Sequence, residues 1–178
     1  MKKAIKFAIL LAVLFGWEIV VPINQTEAAQ ILIHMKTSLA EDDAQICAVP
    51  NVAWAMTKAG HQVKILVDAS AVTSVTNGFG WFNRMLFRSD STALDRATLP
   101  ERERQSLSKQ MEVTLEEVPH NYGEYFQFLK KRGVEIYGNQ TMMLLYNIDL
   151  SQVDSSVSPL SLKEMVELFS SANQIVVY

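Results

Sequence analysis

The sequence predicts an α/β protein of three layers, in which a mostly parallel β-sheet lies between two layers of helices. Short apolar runs of strand length recur along the chain and are rich in β-branched residues, as is typical of strands covered on both faces. Amphipathic stretches with helical spacing separate these runs, and alternation of strand and helix is typical of parallel sheets. We therefore expect one sheet with helices on both of its faces.

The composition fits a single folded domain. The chain has 178 residues, of which 49% are hydrophobic and 20% are charged, and this balance is ordinary for a protein with a packed core. The net charge of −3 leaves no basic surplus to neutralise a phosphate backbone, so we expect no nucleic-acid partner. The single cysteine excludes an intramolecular disulfide and a cysteine-based zinc site. No spacing of histidines and carboxylates predicts a metal site, and no motif predicts a cofactor.

The N-terminal segment predicts an export signal. Three lysines precede an apolar run that continues, with an interruption at Glu18, until Pro22 breaks it. Thr26 and Ala28 supply the small residues that signal peptidase requires, so we expect residues 1–28 to be removed and residues 29–178 to form the domain. This predicts a periplasmic or secreted protein. The alternative is an uncleaved anchor with the domain outside the cytoplasm, although the uninterrupted apolar part is shorter than the roughly 20 residues of a membrane span.

Four strands are predicted in the domain, at residues 31–35, 63–67, 134–137 and 175–178. The first two belong to the first half of the domain, which is predicted to fold as a strand, a helix and a strand. Between the first two strands, apolar residues recur at helical spacing over residues 41–59. Pro50 lies inside this pattern, so it predicts either a kink or the start of a second helix.

The second half predicts two more units of helix and strand. A helical stripe of aromatic and aliphatic residues over positions 122–129 ends at Gly133, before the third strand. Ser161 and Glu164 form a capping box ahead of the last helix, which leads to the last strand. Residues 141–148 predict either a helical turn or one more strand edge.

Residues 73–118 form an insertion after the second strand, because they are far longer than the usual connection. Its second half, residues 98–113, is charged and predicts a helix with Pro100 near the first turn. Its first half combines aromatic and cationic residues: Phe79, Trp81, Phe82, Arg84, Phe87 and Arg88. Such a segment suits docking on an envelope protein, a membrane surface or a neighbouring subunit. The alternative is a lid that packs on its own core.

Polar residues follow three of the predicted strands. Ligands of open parallel sheets bind beyond the carboxyl ends of the strands, so these residues are the candidate ligand-binding set. The set comprises His34, Lys36, Thr37, Asp68, Gly138, Asn139 and Gln140. The alternative is that these residues only cap turns and helices.

Cys47 is the candidate catalytic residue of a thiol reaction. If the first helix begins close to it, backbone N–H groups would lower the pKa of its thiol and favour the thiolate. The alternative is a small buried apolar residue, because its neighbours belong to the core-facing pattern.

Four strings, in order, carry a resemblance to a known family. They are ILIH at residues 31–34, AGHQVKILVD at residues 59–68, GVEIY at residues 133–137 and LFSSANQIVVY at residues 168–178. Together they resemble the DsrE/DsrF-like family, the sulfur-relay fold. The resemblance implies a compact subunit of a homo-oligomer with a pocket near a subunit boundary. In the sulfur-transferring members a cysteine follows the strand after the Gly-Val turn, and here that position is Gly138, so sulfur relay does not carry over.

Three functions remain open on these observations. The first is an exported binding module of this fold that holds a small sulfur-containing ligand or a protein partner at the old site. The second is a sulfur carrier or thiol-redox protein that uses Cys47. The third is a structural protein that docks in the envelope through the Trp81 segment.

Overall fold

The computed structural model describes residues 28–76 and 97–178. Nearly all of the predicted signal peptide lies outside the described residues, and so do Phe79, Trp81, Phe82, Arg84, Phe87 and Arg88. The strands are β1 (Gln30–Met35), β2 (Gln62–Val67), β3 (Glu135–Asn139), β4 (Ser158–Leu160) and β5 (Gln174–Val177). The helices are α1 (Asp43–Lys58), α2 (Glu101–Met111), α3 (Tyr122–Lys131), α4 (Gln140–Leu145) and α5 (Leu162–Ser171). Within these two ranges, no helix is both long and apolar enough to cross a membrane.

The five described strands form one sheet in the order β4-β3-β2-β1-β5, and every pairing is parallel. This confirms the predicted α/β class. Because all strands run the same way, their carboxyl ends meet at one edge of the sheet, which is the edge where the sequence places the polar candidates.

The two faces of the sheet are covered unequally. Side chains alternate along a strand, so Ile33 and Ile65 enter a large core with α1 and α3, whereas Leu32 and Leu66 enter a small core with α5. Among the described residues, α5 is the one helix of this small core. Large apolar side chains on this face stay exposed, by 57% at Leu162, 66% at Val166, 44% at Ile175 and 59% at Val177.

Local sequence explains the bounds of the helices. Asp42 caps α1 by accepting from the Gln45 N–H at 3.1 Å, and the predicted capping box of Ser161 and Glu164 begins α5. Gly133, whose φ is +87°, follows α3 in a left-handed conformation that favours glycine.

The tertiary structure decides three points of the fold: the course of the chain at Pro50, the structure of residues 141–148 and the presence of β4. Of the two alternatives predicted at Pro50, the second helix is wrong, because α1 runs through Pro50 as one helix of 16 residues whose buried face spans the proline. For residues 141–148 the helical alternative is correct, because α4 extends as far as Leu145 and the stretch contains no strand edge. The sequence does not predict β4, because this strand is only three residues long and contains Pro159, so it offers no apolar run.

The second half of the insertion is the predicted helix, α2, which begins after Pro100. Its Arg104 is 7% exposed and donates to the carbonyls of Leu115 at 2.9 Å and Val118 at 3.1 Å. These bonds hold the chain between α2 and α3, and they fix the position at which Tyr122 begins α3.

Candidate functional site

The candidate site is a cluster of three side chains at the carboxyl ends of β1, β2 and β3. His34 is the penultimate residue of β1, Asp68 directly follows β2, and Asn139 ends β3. His34 Nε2 lies 2.9 Å from Asp68 Oδ2, and Asn139 Nδ2 donates to Asp68 Oδ1 at 2.7 Å. The parallel sheet therefore brings together three of the predicted ligand-binding residues. We call this cluster the rim site.

Asp68 is the centre of the rim site. Burial raises the pKa of its carboxyl, but hydrogen bonds from His34, from Asn139 and from the Ala69 N–H outweigh burial, so the pKa lies below its usual value. Asp68 is therefore an ionised acceptor at neutral pH. Since the carboxylate only accepts, His34 donates its Nε2–H, and in the neutral ring Nδ1 remains as an acceptor.

Packing holds the histidine ring in this orientation. Its side chain is 13% exposed, and the ring meets that of Phe169 edge to face with the centroids 5.2 Å apart. The Tyr178 N–H donates to the His34 carbonyl at 2.9 Å. The ring therefore lies on the face of the sheet that α5 covers.

Asn139 both caps a helix and belongs to the rim site, so the two roles that the sequence left open, ligand binding and capping, are compatible at this residue. Its Oδ1 accepts from the N–H groups of Thr141 at 2.9 Å and Met142 at 3.3 Å, so it caps α4. The cap fixes the amide plane, and this directs Nδ2 at Asp68. Asp68 likewise caps a 3₁₀ turn through the Ala69 N–H at 2.7 Å. At both positions the capping role sets the geometry of the site.

The loop after β1 forms the border of the rim site. Lys36 is exposed and Thr37 is half-buried in this loop, and Gln140 is half-buried at the start of α4. Ser70 Oγ donates to Glu41 Oε2 at 2.5 Å, and this bond is the main cause of the lowered pKa of the Glu41 carboxyl. The sequence does not predict a role for Glu41, because a single acidic residue in a loop carries no distinguishing signal.

Gly138 is placed differently from its neighbours. It is buried in β3, and a Cβ on it would overlap the terminal methyl of Met143 and lie 3.1 Å from Val157 Cγ1. Both of those side chains belong to the large core, on the face opposite His34. A side chain at position 138 would thus point into the core, and Gly138 can offer only its backbone to a ligand at the rim.

Cys47 lies apart from the rim site, on the face of the sheet covered by α1. It is half-buried and is the fifth residue of α1. Burial raises the pKa of its thiol; a hydrogen bond with Tyr122 opposes this effect, and the carboxylates of Glu103, Asp43 and Asp42 raise the pKa further. The pKa is thus raised rather than lowered as expected from the helix terminus, because burial and the nearby acidic groups favour the neutral thiol. The thiol is therefore neutral at neutral pH.

Among residues 28–76 and 97–178, no group of three or more histidine, cysteine, aspartate or glutamate side chains could hold a metal ion.

Comparison with known proteins gives information on the fold. No family model matches the sequence, and no curated protein matches it. Among solved structures, the chain is similar to the ychN protein from E. coli, with a TM-score of 0.50 and 12% sequence identity. The match covers 84% of this chain and 99% of that chain. At this identity the likeness shows a shared DsrE-like fold alone.

We predict that Gly138 is required for packing. Gly138→Ala should lower the free energy of unfolding by about 1–3 kcal/mol, because the added methyl overpacks the core against Met143. Met143→Ala removes the overlapping group and alone should cost about 2–5 kcal/mol through the cavity it leaves. In urea denaturation, the double variant should lose less than the sum of the two single losses, by roughly 1 kcal/mol. Strictly additive losses would show that the two positions do not interact.

Proposed function

We propose that this protein is an exported, non-catalytic binding module of DsrE-like fold that holds a small sulfur-containing ligand or a protein partner at the rim site within a homo-oligomer. The observation that carries the proposal is the bonded cluster of His34, Asp68 and Asn139, which joins the carboxyl ends of three adjacent strands. Export rests on residues 1–28 of the sequence, with an uncleaved anchor as the alternative.

The groups of the rim site suit binding. Ionised Asp68 fixes the ring of His34, whose Nδ1 can accept from a ligand, or donate to one when the ring is protonated. The ammonium of Lys36 lies in the adjoining loop and is exposed. The Lys36 charge would attract a small anion, such as an oxidised sulfur species, and the fixed His34 ring, in its protonated form, would orient it by donating Nδ1–H.

The surroundings of Cys47 weigh against the alternative of a sulfur carrier or thiol-redox protein. A carrier needs a thiolate that a donor and an acceptor can both reach. Here the thiol is half-buried, and burial together with three nearby carboxylates raises its pKa. Cys47 also lies on the face of the sheet opposite the rim site, so the two cannot act as one centre.

The uneven covering of the sheet supports the homo-oligomer. Leu162 and Val166 of α5 and Ile175 and Val177 of β5 leave an apolar face beside the small core, and exposed apolar patches mark interaction surfaces. Val177 is the register partner of His34. A second subunit on this face would therefore border the rim site, as the family resemblance implies. The structural alternative, docking through Trp81 and its neighbours, concerns residues outside the described ranges.

The binding function is tested by titrating the full-length protein with thiosulfate and following the His34 and Asn139 signals by NMR. We expect saturable shifts at both residues and weaker shifts with sulfate, which lacks the sulfane sulfur. Lys36→Gln should weaken thiosulfate binding about fivefold, the effect of losing one exposed charge pair. Lys109→Gln on α2 is the matched control and should change nothing. An absence of saturable binding, or binding that Lys36→Gln leaves intact, would contradict a small anionic ligand at the rim.

We predict that native Cys47 reacts slowly. Iodoacetamide should modify it at least roughly tenfold more slowly than a free exposed cysteine, because only the thiolate reacts and the pKa is raised. Intact-mass analysis should show no added sulfur after incubation with a persulfide donor, and full alkylation only after denaturation. Cys47→Ser controls for reaction elsewhere. Addition of one sulfur at Cys47 with fast alkylation would support the carrier instead.

We predict that Val166→Glu dissociates the oligomer. The side chain is 66% exposed on α5, so a carboxylate there costs the single subunit little, whereas it would be desolvated in an interface. Light scattering should show the mass of one subunit for this variant and a multiple of it for the native protein. Lys109→Glu adds a carboxylate on α2, which packs on the other side of the sheet, and should leave the mass unchanged. A native protein of one subunit, or an unaltered mass for Val166→Glu, would contradict this interface.

A further inference from the structure

A cavity lies on the α1 side of the sheet, between α1, α2 and the start of α3. Its volume is 480 Å³, within the range of about 300–1,000 Å³ that is usual for small-molecule sites. Leu39 and Pro100 contribute apolar surface to its wall. Its polar wall consists of Asp43, Cys47, Thr98, Glu103 and Tyr122. This cavity is separate from the rim site, which lies on the opposite face.

The Glu103 carboxylate is fixed by donors from two other helices. The Tyr122 hydroxyl donates to Glu103 Oε2 at 3.2 Å, and Asn51 Nδ2 donates to Glu103 Oε1 at 3.2 Å. Tyr122 is 2% exposed, so its hydroxyl cannot move far. The carboxylate is thereby held in place before any ligand arrives, and this lowers the entropic cost of binding.

Acceptors exceed donors around this carboxylate. Asn51 Oδ1, on the amide that bonds to Glu103, is buried and has no hydrogen-bond partner. This atom is not part of the wall of the cavity, so a ligand that brings N–H donors would bond to the Glu103 carboxylate, which lines the cavity and is only half-buried.

The charged side chains that the structure describes in the wall of the cavity are both acidic. They are the carboxyl groups of Asp43 and Glu103, and no lysine, arginine or histidine of the described residues lies within 4 Å of either. These carboxylates also raise the pKa of the Cys47 thiol. The described part of the cavity thus favours a cation and disfavours an anion.

We propose that this cavity binds a small organic cation, an ammonium or guanidinium group carried on an apolar body. The N–H donors of the cation bond to Glu103, Asp43 adds attraction at the exposed first turn of α1, and Leu39 and Pro100 pack against the apolar body. A bare metal ion fits less well, because the described residues supply no group of three ligands. The rim site takes no part in this binding.

Isothermal titration calorimetry of the full-length protein tests this proposal with a matched pair of probes, 2-phenylethylammonium and 2-phenylethanol. The two share an apolar body and differ in charge. We expect the ammonium to bind at least about tenfold more tightly than the alcohol, as one partly buried charge pair provides. Lys36→Gln, which changes the rim, should leave both affinities unchanged, so failure of the rim site and failure of this site are distinguishable.

Glu103→Gln removes the charge and retains an acceptor for Tyr122. It should reduce the affinity for the ammonium about tenfold, to within about threefold of the alcohol because Asp43 remains, and leave the affinity for the alcohol unchanged. Asp43→Asn, at an exposed position that does not depend on the folding of the Glu103 cluster, should cost about two- to threefold. Glu116→Gln is the matched control at an exposed glutamate away from the cavity. Equal affinities for the two probes, no saturable binding of the ammonium, or an ammonium affinity that survives both Glu103→Gln and Asp43→Asn would each overturn the proposal.

Discussion

The ionised carboxylate of Asp68 is the group on which the arrangement of the rim site depends. It accepts from His34, Asn139 and the Ala69 N–H, and these donors come from the ends of the two strands that flank β2 and from the turn that follows β2. A partly buried charge costs free energy without such partners, and with them the carboxylate is held in one position. The orientation of His34 and the side-chain amide of Asn139 both follow from it.

The alternation of side chains along the strands separates the molecule into two functional faces. His34, Asp68 and the edge of Phe169 lie on the sparsely covered face, whereas Gly138 faces Met143 in the large core. Two adjacent residues of β3, Gly138 and Asn139, therefore have unrelated roles, because a shift of one residue in a strand reverses the face. The polar rim and its apolar border thus occur together on the side that one described helix covers.

The large core supports the other face and its cavity. Arg104 holds the chain between α2 and α3, so Glu103 and Tyr122 come to lie beside Cys47 of α1. Burial, together with these acidic groups, raises the pKa of the thiol, and the same acidic groups make the cavity favourable to a cation. The carboxylates beside Cys47 thus contribute both to the inert thiol that we propose and to the ligand class that we assign.

The sequence by itself determined the α/β class, four of the five described strands and most of the helix bounds, because apolar periodicity, glycine stops and capping residues act over a few neighbouring positions. It also placed His34, Asp68 and Asn139 at strand ends. Only the tertiary structure decided that these three touch, that Gly138 faces the core, that α1 continues through Pro50 and that Glu103 lies beside Cys47. These outcomes depend on contacts between residues far apart in the chain, such as the 71 positions between Asp68 and Asn139. Local pattern cannot encode such contacts, since they arise when strands pair in register and helices pack across the sheet.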